Sequence, residues 1–180
     1  PEDRAEFQAR GIITKQHQAV EIPGIGVDLD HFQVQPLPES GISFLMMARL
    51  LADKGVREYA EAAALVKSRF PDAVFNLLGP FDPSPAGVTK AEVFSWKSVT
   101  YLGETPDVRP FLAGSHVFVL PTFYREGMPR SILEAMASGR AIVTTNVPGS
   151  RATVVDGVNG FLVHPKDVAA LAATLTKLCE

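Results

Sequence analysis

The sequence predicts a doubly wound α/β domain, a parallel sheet of about six strands with helices on both faces. Three observations carry this expectation. From residue 43 onward, short apolar runs alternate with segments of helical periodicity. The runs are continuously apolar rather than alternating, which is what strands covered on both faces require. The segments between them have the length of right-handed crossover helices.

The elements follow in order. Residues 1–42 differ in character from the rest: "DRAEFQARG" reads as the end of a helix closed by Gly11, "AVEIPGIGVDLDHF" as a strand and turn, and "QVQPLPESG" as a Pro-rich connector. They are expected to be the tail of a preceding domain and its linker, with residues 43–180 forming the ligand-binding domain. "SFLMMARLL", "AVFNLLG", "VTYLG", "HVFVLPT", "AIVTTNV" and "GFLVHP" read as strands. "VREYAEAAALVKSRF", "KAEVFSWKS", "DVRPFLAGS", "PRSILEAMASG", "SRATVVDG" and "PKDVAALAATLTKL" read as helices. The stretch "GPFDPSPAG", residues 79–87, holds three prolines and two glycines and reads as a loop at the carboxyl end of the second strand. Ligands of such sheets bind at the carboxyl ends, beside the point where strand order reverses.

Composition narrows the function. With 180 residues and 46% hydrophobic content, the chain can bury one sizeable core. Its 17 Lys and Arg against 20 Asp and Glu give no broad basic field, so nucleic acid is not an expected partner. The lone Cys179 excludes an intrachain disulfide and a cysteine metal site, and fits a reducing cytoplasm. No apolar run approaches the roughly 20 residues of a membrane span. The start "PEDRAEFQARG" has neither an initiating Met nor a signal peptide, so the chain reads as a piece of a longer protein.

The informative stretch is "YREGMPRSILEA", residues 124–135. Proline costs roughly 3 kcal/mol inside a helix but suits its first turn, so the helix should open near Pro129 with Glu126 in the loop before it. Ile132, Leu133, Met136 and Ala137 then form an apolar stripe, with Glu134 at its edge beside Arg130. Taken alone, these charges could be an ordinary i, i+4 pair and a solvated loop residue. They could also form a ligand corner. Free N–H groups around Gly127, Met128, Arg130 and Ser131 would face an anion such as a diphosphate. Glu126 could accept from sugar hydroxyls, and Glu134 from vicinal ribose hydroxyls.

"ARLLADKG" places Arg49 at a strand's carboxyl end and Lys54 where the next helix opens. Two cations there could stabilise a departing nucleoside diphosphate without a metal. Alternatively, Arg49 pairs with a neighbouring carboxylate and Lys54 is solvated. Asp28 and Asp30 have the spacing of a metal-holding pair, but two carboxylates are too few to define a site. The four histidines read as packing or surface residues, and Trp96 as a core anchor.

"REGMPRSILEAMASGRAIVTTNVPGSRATVVDGVNGFLV" resembles the nucleotide-sugar-binding core of retaining GT-B glycosyltransferases of family four, the glycogen-synthase-like group 1 enzymes. Their motif is Glu, seven residues, Glu, then Ala-Met-Ala-x-Gly. Residues 126–163 match nearly throughout, and a weaker likeness spans residues 20–175. "ARLLADKG" is similar to the family's Arg-Leu-x-x-x-Lys-Gly. The resemblance implies a Rossmann-like half of a GT-B fold and a metal-independent transferase that needs no cofactor. Its substrate would be a nucleoside-diphosphate sugar, with UDP ahead of GDP.

It further implies that Glu126 sits at the reaction centre and Glu134 on the ribose. Arg49, Lys54 and the Gly127, Met128, Pro129 backbone would lie along the diphosphate, and Tyr101 and Leu102 near the base. The acceptor, a glycan or lipid-linked sugar, would be held by a separate N-terminal domain, so this piece alone should not transfer. "GPFDPSP" with "YREGMPRS" looks like the subgroup building bacterial surface polysaccharide and lipopolysaccharide. The parent would then be cytoplasmic, or peripheral on the inner face of the membrane.

Two positions depart from the pattern. Gly79-Pro80-Phe81 replaces Gly-x-Gly, which leaves that loop's conformation open, and Ala152 stands where relatives often carry Glu. A non-catalytic nucleotide-sugar-binding or interaction module is the alternative from another class. A sugar-nucleotide epimerase of the same architecture ranks last.

Overall fold

Six short strands lie side by side: β1 (Ser43–Met47), β2 (Val74–Leu78), β3 (Thr100–Tyr101), β4 (Val117–Leu120), β5 (Ala141–Thr145) and β6 (Gly160–Val163). The computed structural model describes residues 2–20, 22, 24–39, 41–125 and 127–180. The strand order is β3-β2-β1-β4-β5-β6, and every neighbouring pair is parallel. Ser43 stands opposite Val74, and Phe44 opposite Val117. Strand order therefore reverses between β1 and β4, which is the topological switch point.

The helices are α1 (Glu2–Ala9), α2 (Val56–Lys67), α3 (Lys90–Ser95), α4 (Arg109–Ala113), α5 (Arg130–Ala137) and α6 (Val168–Cys179). All six expected strands form, and they are shorter than the apolar runs that foretold them. β1 and β4 are buried at every position, so both faces are covered. Phe44 and Phe75 stack with ring centroids 4.6 Å apart. On α2 the buried residues Val56, Tyr59, Ala60, Ala63 and Val66 recur at helical spacing. Burying a large apolar side chain stabilises by about 1.5–3 kcal/mol. The Tyr59 hydroxyl donates to the carbonyls of Phe44 (3.2 Å) and Asn76 (3.1 Å), tying α2 to β1 and β2. Burial pushes that phenol well above its ordinary pKa.

Three expectations differ from the structure. "SRATVVDG" is not a helix but a single 3-10 turn, Arg151–Thr153. Its β-branched Thr153, Val154 and Val155 disfavour a longer helix. The described residues of 19–32 form no strand, and Val20, Ile22, Ile25 and Leu29 are exposed. None of these described residues pairs with a strand of the sheet, so they lack the ladder a strand needs.

The Pro-rich connector is also no free tether. Phe32 is buried, the Gln35 N–H donates to the Ser138 carbonyl, and Val34 packs on Gly139. Arg140, only 3% exposed, donates to the carbonyls of Ser115 (2.8 Å), Ser138 (3.0 Å), Gln35 and Pro36. Burial lowers the pKa of its guanidinium. The Ser43 N–H donates to His116 Nδ1 (3.2 Å), which leaves Nε2 to donate to the Pro38 carbonyl (3.0 Å).

Candidate functional site

The loops after β1, β2 and β4 are laced together at the switch point. Beyond β1 the chain passes Ala48 and Arg49 into a 3-10 turn, Ala52–Lys54, and enters α2 through Gly55. Gly55 has φ +78°, and a Cβ there would lie 2.1 Å from the Pro121 carbonyl oxygen. Only glycine fits this junction. The Asp53 carbonyl accepts from Thr122 Oγ1 (3.0 Å), Phe123 N–H (2.8 Å) and Tyr124 N–H (3.1 Å). The Lys54 amine lies 4.9 Å from the Tyr124 ring centroid.

The loop at residues 79–87 is not free either. Leu50 N–H donates to the Pro80 carbonyl, Ala52 N–H to Ala86, and Val88 N–H to Leu50. Gly79, at φ +143°, passes so close that a Cβ would stand 1.9 Å from the Ala48 carbonyl oxygen. Phe81, at the position that departs from Gly-x-Gly, keeps a negative φ and packs its ring on Tyr101. Asp82 then reaches Arg49, with Oδ2 at 3.3 Å from Nη1. Ser84, and then Arg49, hold the Asp82 carboxyl below its ordinary range.

α5 opens at Arg130, with Pro129 extended in the cap position at φ −64°, ψ 122°. Ile132 and Ala135 are buried. Glu134 stands at the edge of that stripe, its side chain 13% exposed, and its Oε1 accepts from Arg130 Nε at 2.9 Å. Arg130 itself is 68% exposed. The N–H groups of Arg130 and Ser131 find no backbone acceptor among the described residues.

These elements enclose a cavity of about 540 Å³. Met47 and Ala48 come from the end of β1, and Leu78, Gly79 and Pro80 from the end of β2. Glu104, Thr105, Pro106 and Val108 come from beyond β3, and Ser131 and Glu134 from α5. The walls are mostly apolar, with two carboxylates and two hydroxyls among them. A mostly apolar lining with a few placed polar groups is the character of a small-molecule site.

A larger groove of about 590 Å³ lies between α2 and α3. Its Arg57 and Glu92 are already paired in a two-point ion pair at 2.6 and 3.0 Å. Asp28 Oδ1 accepts from the N–H groups of Asp30 and His31, as a turn cap does.

Residues 41–180 match the family model described as glycosyl transferases group 1. The chain belongs to this family. The group 1 glycosyltransferase domain is 31% identical, over 99% of the chain and 50% of the relative, to N,N'-diacetylbacillosaminyl-diphospho-undecaprenol alpha-1,3-N-acetylgalactosaminyltransferase of Campylobacter jejuni. It is 29% identical, over 86% of the chain and 44% of the relative, to UDP-Gal:alpha-D-GlcNAc-diphosphoundecaprenol alpha-1,3-galactosyltransferase of Escherichia coli. The chain thus spans about half the length of these curated relatives. Among solved structures, sucrose-phosphate synthase of Thermosynechococcus elongatus superposes with a TM-score of 0.77 at 25% identity, covering 98% of this chain and 47% of that one. HepE of Anabaena in complex with UDP gives 0.72 at 22% identity, covering 86% and 46%.

Within this glycosyltransferase domain the expected site residues are placed unevenly. Glu134 lines the cavity together with Ser131. Arg49 follows the lining residue Ala48, and Lys54 sits in the turn beyond; neither lines the cavity itself. Gly127, Met128 and Pro129 lead into α5, with Met128 against Gly24. Tyr101 and Leu102 do not line it. The Tyr101 hydroxyl donates to the Gly79 carbonyl (2.9 Å) and Leu102 N–H to the Leu77 carbonyl (2.8 Å), so their polar groups hold β2 against β3. Glu126 lies outside the described residues.

Sequence reasoning missed Glu104, Thr105 and Asp82. Glu104 and Thr105 directly follow "VTYLG", and their position beyond a strand end was the available signal. No helix among the described residues is long and apolar enough to cross a membrane.

Proposed function

We propose that the chain is the donor-binding part of a retaining glycosyltransferase that uses a nucleoside-diphosphate sugar. The observation that carries this reading is the cavity at the carboxyl ends of β1 and β2, with the Glu134 carboxylate and the opening turn of α5 on its wall. The Glu134 carboxylate accepts the ribose hydroxyls, and the base lies between Gly79 and the Glu104–Pro106 segment. The N–H groups that open α5 face the diphosphate.

Arg49 and Lys54 are the counter-charges for that diphosphate, in place of a metal. Arg49 is 64% exposed and its pair with Asp82 is long, so turning it to a phosphate costs little. Glu126, by its place in the chain beside Gly127, accepts from the donor sugar. UDP is the favoured nucleotide, supported by the 29% identical relative named for UDP-Gal.

Residues 43–180 form the donor domain, and residues 1–42 lead from an acceptor domain. That domain binds a glycan or lipid-linked sugar of the kind made in bacterial polysaccharide or glycolipid assembly, and this piece alone binds donor weakly and transfers nothing. The relatives named for diphospho-undecaprenol substrates support that acceptor class. Calorimetry with UDP and GDP on the chain tests the site: heat of binding is expected with UDP. Absence of heat with both at millimolar ligand sinks the assignment.

A further inference from the structure

We propose that Arg130 is a positioning residue for the ribose subsite: it neutralises and aims the Glu134 carboxylate from outside the cavity. The inference rests on the reading of Glu134 given above and extends it. Glu134 is the acidic side chain of α5 that lines the cavity, and it is only 13% exposed among walls that include Met47, Leu78, Pro106 and Val108. A carboxylate in such a place is costly unless a partner compensates its charge.

Arg130 supplies that partner without entering the ligand space. It is 68% exposed, does not line the cavity, and donates through Nε alone to Oε1 at 2.9 Å. An ionised carboxylate has about four acceptor positions. One arginine donor leaves Oε2 and part of Oε1 for the two hydroxyls of a ribose. The i, i+4 spacing lets Arg130 reach the carboxylate from the opening turn of α5. The pair is therefore part of the binding apparatus and not a mere helix-surface ion pair.

The alternative is that Arg130 competes with the ribose for the same carboxylate. The two readings predict opposite signs. The test compares UDP with 2',3'-dideoxy-UDP on the wild-type chain and on Arg130→Gln. The substituted side chain is largely exposed, so the fold should be kept. Wild type is expected to bind UDP more tightly than the dideoxy analogue. Arg130→Gln is expected to weaken UDP about threefold to tenfold, the range for loss of one charge-assisted contact, while leaving the dideoxy analogue unchanged.

If Arg130→Gln leaves UDP affinity unchanged, tightens it, or weakens both ligands alike, the positioning role is overturned while the donor site stands. If wild type binds both ligands equally, Glu134 is not the ribose carboxylate, and the positioning role falls with it.

Discussion

Gly55 and Glu134 make opposite demands at the level of single residues. Gly55 is required for its backbone: at φ +78° and against the Pro121 carbonyl it has no room for a Cβ. Gly55→Ala should lower stability by at least about 2 kcal/mol, read from urea unfolding, because strain and overlap add. Glu134 lines the cavity, and the proposed ribose contact would rest on its charge. Glu134→Ala and Lys54→Ala should each weaken UDP by at least about 1 kcal/mol in calorimetry, while the melting temperature moves little. A variant that binds UDP as wild type does would remove that residue from the site. Glu134 was legible from sequence because Pro129 fixes where the helix opens, and the spacing then sets its face. The Arg49 to Asp82 pair was not, since 33 residues separate the partners and only the folded loop brings them together.

At the level of elements, all six strands were legible, because strands covered on both faces leave an uninterrupted apolar run. The failures have two causes: local propensity at "SRATVVDG", where β-branched residues cut the helix to one turn, and tertiary context in residues 19–39. The described residues of 19–32 pair with no strand of the sheet. The connector read as a Pro-rich linker between domains, and a buried arginine some hundred residues later ties it to the fold. Arg140→Met should lower stability by about 3 kcal/mol and speed amide exchange across residues 33–39, since it strips several carbonyls of their donor at once. Unchanged exchange there would show that the apolar contacts of Phe32 and Val34 suffice.

The start of α4 offers a pH test. Arg109 grips Asp107 through Nε and Nη2, both at 2.8 Å, and its N–H donates to the same carboxylate. These bonds, the side-chain ones first, lower the Asp107 pKa from 3.8 to about 2. A depressed acid stabilises the fold above its unfolded value. That stabilisation should be complete above about pH 4 and fade as pH falls toward 2. An NMR titration of Asp107 should give a midpoint near 2 that returns toward 3.8 in Arg109→Met. A midpoint that stays low would assign the shift to something other than Arg109.

At the level of the whole molecule, the chain spans about half the length of these curated relatives. In a full-length enzyme, the proposed role of Glu126 at the donor sugar predicts that Glu126→Ala lowers turnover more than donor affinity, because a group at the reacting sugar would act chiefly in the transition state. Equal losses in both would make Glu126 a binding residue only.

On the proposed function, UDP occupies the cavity at the switch point and not the larger groove between α2 and α3. Amide chemical-shift mapping with UDP decides it most directly. Shifts clustered at Ala48, Gly79, Thr105, Ser131 and Glu134 are predicted. Shifts clustered at Lys67, Trp96 and Lys97, or none at all, would place UDP elsewhere or nowhere on the chain.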